Sequence, residues 1–483
     1  MIFTILSIIC FLLANLLLVN IAIEHHFIKL ANSDLLYVPV FVEELFQNPK
    51  ILSTWVLPPA PSFFPDIILF SFSRVFTKHL GINLFLYSLT FNSLLLFSLL
   101  KLKEIFQNRK NHQSDISYSA LFFSFWILLI STHPNELSLF FFPSYHGSVI
   151  LLLIFSIFSI FHKQKFALLG ILFYLFYISD KHSLVIFLFP IILIIFLDKK
   201  NFNLKSKIYL LSTLLLIVML GNQTLKFLKN NSIFYIPEIS LQQAFRNNLS
   251  FVQLKNNIFL TFPLALDFFL TLFQSYLFFF IFFFSALLYS IIFFKNFSEK
   301  QRLILLVLLF SLFASISSQI VLGFWVGSRY LWGIYFFPLI ILVLNFNASS
   351  LKLLFCLFLI FLCYTFFHFD LTFQHILYKT YPKEISCLDR IAKEKNLLNG
   401  ISDYWNAKYI RYFQKERYAI NQVFSDSKDY DWVSNRNWRN SLRIDFVLIE
   451  GIDPKAIENK FGQPFEKLFC EKKEIWIYHK PNP

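Results

Sequence analysis

The chain opens with IFTILSIICFLLANLLLVNIAI at residues 2–23, a predominantly apolar run that contains no charged side chain. A transmembrane helix needs about 20 such residues. The features of a cleaved signal peptide are missing, because the run is too long, no positive charge precedes it, and no small-x-small cleavage site precedes Glu24. We therefore predict that this run is a permanent transmembrane helix.

The remainder of the 483 residues has the same apolar character. Hydrophobic residues make up 57% of the chain and charged residues 15%, the mean hydropathy is +0.60, and Phe alone accounts for 67 residues. Soluble globular proteins average about 25% charged residues, and so few charges cannot cover this much apolar surface in water. The composition predicts an integral membrane protein and argues against a soluble, secreted or nucleic-acid-binding protein.

Eleven apolar runs are long enough, or nearly so, to cross a bilayer as helices. They lie at 2–23, 80–100, 117–132, 143–161, 166–179, 183–197, 207–224, 274–294, 302–322, 331–346 and 351–371. Two further apolar segments, 65–78 and 258–273, are interrupted, and we interpret them as re-entrant or interfacial helices. The predicted fold class is a polytopic α-helical membrane protein with about eleven transmembrane helices.

Lys and Arg are unevenly shared between alternate loops. One set of short loops holds 14 of them: Lys101, Lys103, Arg109, Lys110, Lys163, Lys165, Lys199, Lys200, Lys205, Lys207, Lys295, Lys300, Arg302 and Lys352. The other set is longer and holds only 10. Because cytoplasmic loops are enriched in Lys and Arg, the first set is predicted to be cytoplasmic. The N-terminus then lies inside, and an odd number of spans places the C-terminus outside.

This orientation divides the chain into two predicted domains. Residues 1–378 form a transmembrane domain whose outer face carries two long loops, 24–79 and 225–257. Residues 379–483 hold 34 of the 72 charges and form a small extracytoplasmic domain. No cytoplasmic loop has room for a nucleotide-binding domain, and the sequence lacks GxxxxGK[ST]. Any chemistry is therefore predicted to occur on the outer face.

The predicted C-terminal domain has a mixed α/β pattern. Residues 384–397 and 454–461 have helical spacing, and residues 445–450 and 474–480 have the pattern of strands. Two cysteines, Cys387 and Cys470, lie in this domain. If it faces an oxidising compartment, they are predicted to form a disulfide.

The first outer loop contains the most informative acidic residue. Asp34 follows the first span in NSDLLYVPVFVEELF. An aspartate near the bilayer surface is a candidate general base, or a ligand of a divalent cation together with Glu43 or Glu44. Asp is also favoured as the residue that caps a helix, here one that would start at Leu35. The spacing alone leaves these alternatives open.

Further polar residues cluster at the predicted outer ends of spans. They are His133, Asn135, Glu136 and His146, then Asp180, Lys181 and His182, and finally Arg329 and Tyr330. Lys181 and Arg329 are candidate phosphate ligands, since phosphate recognition in a water-excluded site uses Lys or Arg. For either residue alone an interfacial anchor is the favoured interpretation, whereas the two together with Asp34 on the same face are consistent with a lipid-phosphate site. Asp267 and Asp370 lie within or at the end of apolar segments and are candidate functional acids.

Four segments, in their order along the chain, resemble those of a known family. They are NSDLLYVPVFVEELF, LPPAPSFFPD at 57–66, SDKHSLVIFLFP at 179–190 and SRYLWGIYFFP at 328–338. The chain resembles integral membrane glycosyltransferases with the GT-C fold. Its nearest likeness is to the family-39-like group, which includes protein O-mannosyltransferases, lipid A aminoarabinose transferase and Rgt-type sugar transferases. The resemblance covers residues 1–345, and the segment SDYWNAKYIRYF is similar to the outer domain of bacterial members.

The resemblance implies a function and a set of site residues. Asp34 would be the base that deprotonates the acceptor, and Lys181 and Arg329 would face the phosphate of a polyprenyl-phosphate sugar donor. The substrate-binding residues would also include Tyr37, Tyr330, Glu136 and His146. A divalent cation, Mg²⁺ or Mn²⁺, would have Asp34, Glu43 and Glu136 as candidate ligands. The chain departs from the family pattern at Leu35, where an acidic residue is usual, and at Glu136, where Asp is usual.

The predicted function is thus sugar transfer from a lipid carrier to a lipid, glycan or protein acceptor of the cell envelope, with no nucleic-acid partner. High usage of Phe, Ile, Lys and Asn suggests an AT-rich genome and a bacterial inner membrane. Two alternatives stay open. One is a transporter or flippase of lipid-linked sugars, although such proteins usually place ionisable groups near mid-membrane. The other is a non-catalytic membrane scaffold with a C-terminal binding module.

Overall fold

The computed structural model of the protein is mostly helical, with a small β-sheet region near the C-terminus. The structure describes residues 2–25, 33–132, 138–144, 147–161, 166–197, 204–236, 251–275, 277–322, 332–345, 351–369, 371, 373, 381–416, 418–439 and 443–478. Structural statements below refer to these residues.

The helices are labelled in chain order. They are α1 Ile2–His25, α2 Ser33–Gln47, α3 Ile68–Phe76, α4 Leu80–Gln107, α5 Gln113–Ser131, α6 Gly147–Phe161, α7 Phe166–Ser179, α8 Phe189–Leu197, α9 Leu204–Asn230, α10 Phe251–Ser275, α11 Leu277–Ile292, α12 Glu299–Leu322, α13 Trp332–Asn345, α14 Leu351–His368, α15 Lys383–Glu394, α16 Tyr404–Phe413 and α17 Pro454–Phe461. One π-helical turn precedes α3 at Phe63–Ile67, and another precedes α8 at Leu184–Leu188. Short 3₁₀ turns lie at Pro49–Thr54, Ser138–Phe141, Phe294–Asn296 and Arg436–Arg439.

The strands are short. They are β1 Trp55–Val56, β2 Asn399–Asp403, β3 Ala419–Val423, β4 Ser434–Asn435, β5 Phe446–Leu448, β6 Glu466–Cys470 and β7 Lys473–Ile477. Five of them form one sheet in the order β3-β2-β5-β7-β6, in which β2 pairs in parallel with β3 and β5, and β7 pairs antiparallel with β5 and β6. The α/β character predicted for the C-terminal domain is confirmed, although β2, β3 and β6 were not predicted.

Each of the eleven predicted apolar runs contains a helix. Among the described residues, six helices are long and apolar enough to cross a membrane, namely α1, α4, α5, α9, α12 and α14. Shorter apolar helices, α6, α7, α8 with its π-helical turn, α11 and α13, occupy the other five runs. The protein is therefore a helical protein with the apolar helices of a membrane protein. The number that cross the membrane stays a prediction.

The two interrupted segments fold differently from each other. Residues 65–78 form the π-helical turn and the short helix α3, as a re-entrant or interfacial helix would. Residues 258–273 lie inside α10, which continues through Pro263 as one helix of 25 residues. A re-entrant turn is therefore wrong for 258–273, because neither Pro263 nor the neighbouring polar residues reverse the chain. An interfacial position for α10 is still compatible with this geometry.

The apolar helices pack around one continuous core. Helix α1 lies along α5, and α14 contacts another face of α5. Trp126 of α5 is fully buried and makes T-shaped, edge-to-face contacts with Phe279 and Phe282 of α11 at centroid distances of 5.3 and 5.5 Å. Phe side chains therefore fill the interfaces between these helices, where aromatic rings prefer such contacts over face-to-face stacking.

The connecting segments gather at two ends of the helical domain. At one end, the Gln107 side chain donates to the carbonyl of Leu344 at 3.0 Å, and the Gln301 side chain donates to the carbonyl of Phe106 at 2.9 Å. At the other, the amide of Phe64 donates to Ser179 Oγ at 2.8 Å and the amide of Leu57 to the carbonyl of Tyr235 at 2.8 Å. The first group belongs to the loops predicted to be cytoplasmic, and the second to the loops predicted to be outside.

The C-terminal domain lies against this second end, which we call the site end. Helix α16 packs on α2, and β1 of the first loop pairs antiparallel with β4 of the C-terminal domain. In that pairing Trp55 faces Asn435 and Val56 faces Ser434. The two domains are thus joined by backbone hydrogen bonds as well as by side chains.

A disulfide joins Cys387 to Cys470 across α15 and β6, with Cα atoms 5.5 Å apart. This is the pairing expected from the sequence. The other cysteines, Cys10, Cys356 and Cys363, are free.

We predict that purified protein, denatured without reductant, exposes three titratable thiols and that reduction raises the number to five. The physical reason is that one S–S bond removes two thiols, and such bonds persist in oxidising compartments. Thiol titration with a chromogenic disulfide reagent measures both numbers. Five thiols before reduction would contradict the bond.

Candidate active site at the junction of the two domains

The junction brings Asp34 against the C-terminal domain. Helix α2 begins at Ser33, so Asp34 lies in its first turn instead of capping a helix that starts at Leu35. The hydroxyl of Tyr404, the first residue of α16, donates to Asp34 Oδ1, and the hydroxyl of Ser33 donates to the carbonyl of Tyr404. Asp34 is half-buried. The partial positive charge at a helix N-terminus favours a carboxylate at this position.

A buried lysine lies next to this contact. Lys408, one turn after Tyr404 on α16, is fully buried. Its Nζ lies 4.1 Å from the centroid of the Tyr404 ring and donates to Gln422 Oε1 at 3.2 Å. Burial lowers the pKa of Lys408 to about 7, against the opposing attraction of Asp34 and Asp403.

A second carboxylate, Glu44, is surrounded by hydrogen-bond donors. Its Oε2 accepts from Trp55 Nε1 and Asn435 Nδ2, both at 2.9 Å, and its Oε1 accepts from Trp438 Nε1 at 2.9 Å and Arg411 Nη2 at 3.2 Å. Arg411 also stacks on the Trp438 ring, with Cζ 4.3 Å from the centroid. One of these donors comes from the first loop and three come from the C-terminal domain. Glu44 is therefore an anchor between domains and has little capacity left for a metal ion.

Glu43 faces away from Asp34. It accepts a hydrogen bond from Arg74 Nε at 2.6 Å. Burial raises the pKa of Glu43, but the hydrogen bonds from Arg74 and Gln47 outweigh it, and the pKa is lowered overall. Asp34 and Glu43 are nine residues apart on one helix, which is about 13 Å along the axis and on opposite sides. The structure therefore does not bring these two carboxylates together, and their joint binding of a cation stays a prediction.

The proline-rich segment 57–66 connects α2 with the loop after α7. The hydroxyl of Tyr37 donates to the carbonyl of Pro61 at 2.8 Å. The amide of Ser62 donates to the carbonyl of Ser179 at 3.0 Å, and the amide of Phe64 donates to Ser179 Oγ. Three of the four segments that carry the family resemblance therefore meet at the site end. Lys181 follows Ser179 by two residues and is half-exposed.

Asp66, at the end of the proline-rich segment, is a buried acid to which the sequence analysis gave no role. It accepts from the hydroxyl of Tyr87 at 2.8 Å and from the amide of Ser144 at 3.1 Å. Burial, and then the negative charge of Asp66, raise the pKa of Tyr37 well above its ordinary value. A carboxylate directly after a Pro-containing turn in an apolar segment is the signal that could have identified it.

Several predicted site residues lie outside the described residues. They are Glu136, His146, Arg329 and Tyr330, together with His133, Asn135 and Asp370. Asp267 is described and is exposed on α10. Within the described part of the chain, no three side chains of His, Cys, Asp or Glu come together in a group that could hold a metal ion.

Tyr404 and Lys408 are the residues that sequence reasoning missed. Their signal is the spacing of α16, where Tyr404, Ala407 and Lys408 share the buried face of a helix. A lysine at an apolar-face position is unusual enough to mark a paired or functional charge.

Comparison of the chain with protein-family models, with curated proteins and with solved structures finds no match.

We predict that Glu44→Ala destabilises the protein by about 3 kcal/mol or more, because it leaves the Arg411 charge and three neutral donors without their acceptor. Glu43→Ala is the matched control and should cost less, since it deprives only two donors, Arg74 and Gln47, of their acceptor. Thermal unfolding in detergent, with limited proteolysis at the junction, measures both. Equal losses in the two variants would contradict the anchoring role of Glu44.

We predict that Lys408→Met is more stable than wild type at pH 7. The folded protein keeps the Lys408 pKa near 7, so the unfolded chain binds more protons between about pH 7 and pH 10.5. The resulting loss in the free energy of unfolding is absent above about pH 10.5 and grows as the pH falls. It is largest, about 5 kcal/mol, near pH 7. Loss of the Lys408 donor to Gln422 offsets part of this gain.

Melting temperatures from pH 7 to pH 10 test the Lys408 prediction. The wild-type value should rise relative to that of Lys408→Met, so that the two curves converge at high pH. Parallel curves would show that Lys408 is charged in the folded protein throughout.

Proposed function

We propose that the protein is a membrane glycosyltransferase, which moves a sugar from a polyprenyl-phosphate donor to a cell-envelope acceptor on the outer face of a bacterial inner membrane. The observation that supports it most is the meeting of Tyr37, the 57–66 segment and the loop of Lys181 through three hydrogen bonds. Asp34 lies three residues before Tyr37 on the same helix. Segments more than a hundred residues apart thereby form one polar unit at the end of an apolar helix bundle.

The proposed reaction is a direct displacement at the anomeric carbon. Asp34 removes the proton from an acceptor hydroxyl while the acceptor oxygen forms a bond to the anomeric carbon. The bond between that carbon and the carrier phosphate breaks, and its electron pair leaves with the phosphate. Lys181 and Arg329 are the residues proposed to balance the charge that develops there. The configuration at the anomeric carbon is inverted.

The residues around Asp34 do not fit a divalent cation. A phenol hydroxyl donates to its carboxylate, and a buried lysine lies one turn further along α16. Both partners present protons, whereas Mg²⁺ or Mn²⁺ would need further oxygen ligands there. The proposed reaction therefore uses the side chains of the chain itself, and the lipid carrier supplies the activated leaving group.

A non-catalytic anchor is the second candidate function for Asp34, because its bond to Tyr404 also joins the two domains. This reading matches the scaffold alternative. The substitution Asp34→Asn distinguishes an anchor from a catalytic base, because Asn still accepts a hydrogen bond from Tyr404 but cannot take a proton from an acceptor.

We predict that Asp34→Asn lowers sugar transfer by about 10²- to 10⁴-fold, the usual contribution of a general base, and leaves the melting temperature nearly unchanged. The measurement is release or transfer of sugar from a panel of polyprenyl-phosphate sugars by protein in lipid nanodiscs, in the presence of envelope glycolipid acceptors. Glu43→Gln, on the far side of the same helix, is the control and should retain activity. Full transfer by Asp34→Asn would exclude Asp34 as the base.

A further inference from the structure

The part of the C-terminal domain that contacts Asp34 is built from more polar groups than docking requires. Other contacts across the junction already include the β1–β4 pairing and the four donors to Glu44. A helix that only covered the end of α2 would pack well with apolar side chains at the positions of Tyr404 and Lys408. The presence of a buried amine there needs a separate explanation.

We propose that Tyr404 and Lys408 complete the active site from the C-terminal domain: Tyr404 holds the Asp34 carboxylate in its reactive orientation, and Lys408 is a positioning residue that fixes Tyr404. This inference rests on the proposed function, in which Asp34 is the base. It adds that the transmembrane domain alone lacks part of the site.

The contact of Tyr404 with Asp34 supports the first part. Two bonds join Tyr404 to the first turn of α2, one from its hydroxyl to Asp34 and one from Ser33 to its carbonyl. Tyr404 is therefore held through both its hydroxyl and its backbone carbonyl, and the Asp34 carboxylate has little rotational freedom.

The surroundings of Lys408 support the second part. Its amine lies over the Tyr404 ring and is fixed by Gln422, whose own amide donates to the carbonyls of Tyr430 at 3.0 Å and Trp432 at 2.8 Å. This network leaves each described member with a partner, as buried polar networks require. The contacts of Lys408 with Gln422 and with the Tyr404 ring therefore fix that ring relative to strand β3.

The charges that face one another explain why a lysine is found there. The groups that act on Asp34 include Tyr404, Lys408 and Tyr430, and Asp403 acts on Lys408 as well. Burying an amine is costly unless a negative charge lies nearby. The negative charge of Asp34 offsets part of that cost.

The test measures how well the Asp34 carboxylate is held, without relying on sugar transfer. Full-length protein in nanodiscs is treated at pH 6 with a water-soluble carbodiimide and glycine ethyl ester, which label accessible carboxyl groups, and the labelled fraction of Asp34 is read by mass spectrometry. The variants are Tyr404→Phe and Lys408→Met. The matched control is Tyr409→Phe, which removes a phenol on the same helix that donates to Glu384 at 2.6 Å.

We expect both variants to raise the labelling of Asp34 at least about threefold and the control to leave it unchanged, because loss of the phenol that contacts Asp34, or of the amine that fixes that phenol, leaves the carboxylate open to the reagent. Lys408→Met separates this effect from loosened docking, since we predict that variant to be the more stable one at neutral pH. It also keeps the test valid if Tyr404→Phe does not fold.

Transfer assays on the same samples should show that Tyr404→Phe lowers kcat about tenfold and changes the KM for the donor less than twofold, as expected for a group that acts on the base and not on donor binding. Unchanged labelling of Asp34 in Lys408→Met would overturn the inference, whether or not sugar is transferred. Raised labelling in both variants, combined with a wild type that transfers no sugar, would support the coupling and count against the proposed function.

Discussion

The carboxylate of Glu44 is the interaction on which the arrangement of the two domains depends. Its two oxygens accept hydrogen bonds from two indoles, one amide and one guanidinium. Charge-assisted bonds of this kind are roughly twice as strong as neutral ones, and each donor would be buried without a partner if the carboxylate were absent. Helix α16 then has one position on α2, and Tyr404 meets Asp34 as a consequence.

The polar contacts at the junction form two layers with different consequences. The outer layer, centred on Glu44, is saturated with donors and serves attachment. Among the described residues, the inner layer around Asp34 combines a phenol donor with a nearby buried amine whose pKa is lowered by burial. Perturbed ionisable groups in contact with a half-buried carboxylate are more typical of functional sites than of anchors. This difference is the reason to place the chemistry at Asp34 and not at Glu44.

The sequence predicted the helical part of the fold well, because the eleven runs depend on local hydrophobicity, and each run contains a helix. Local spacing also predicted two helices of the C-terminal domain, α15 and α17, but it missed α16. The Cys387–Cys470 pair was predicted because both cysteines lie in this domain. At 258–273 the sequence left a re-entrant and an interfacial helix open, and α10 continues through Pro263 as one helix, which agrees with the interfacial alternative.

The candidate site was predicted in part. Asp34, Tyr37, the proline-rich segment and the loop of Lys181 are marked by their own residues, and Tyr37, that segment and the loop do come together. The roles of Tyr404 and Lys408 could not be predicted, because they depend on which face of α16 meets α2. Asp34 and Glu43 lie on opposite sides of one helix, and this could not be predicted without knowing that the helix extends over both residues. Long-range contacts of this kind leave no periodic trace in the sequence.

The two-stranded sheet of β1 and β4 has a consequence for biosynthesis. Glu44 and Asn435, which meet beside it, are 391 residues apart in the chain. At a synthesis rate of 5–20 residues per second, the first loop waits about 20 to 80 seconds for its partner. During that time the edge of β1 and the carboxylate of Glu44 must be satisfied by water or by a chaperone. The first loop is therefore synthesised early but reaches its final structure only when the C-terminal domain is present. A chain that is released before then has an unpaired strand edge at β1 and lacks the junction.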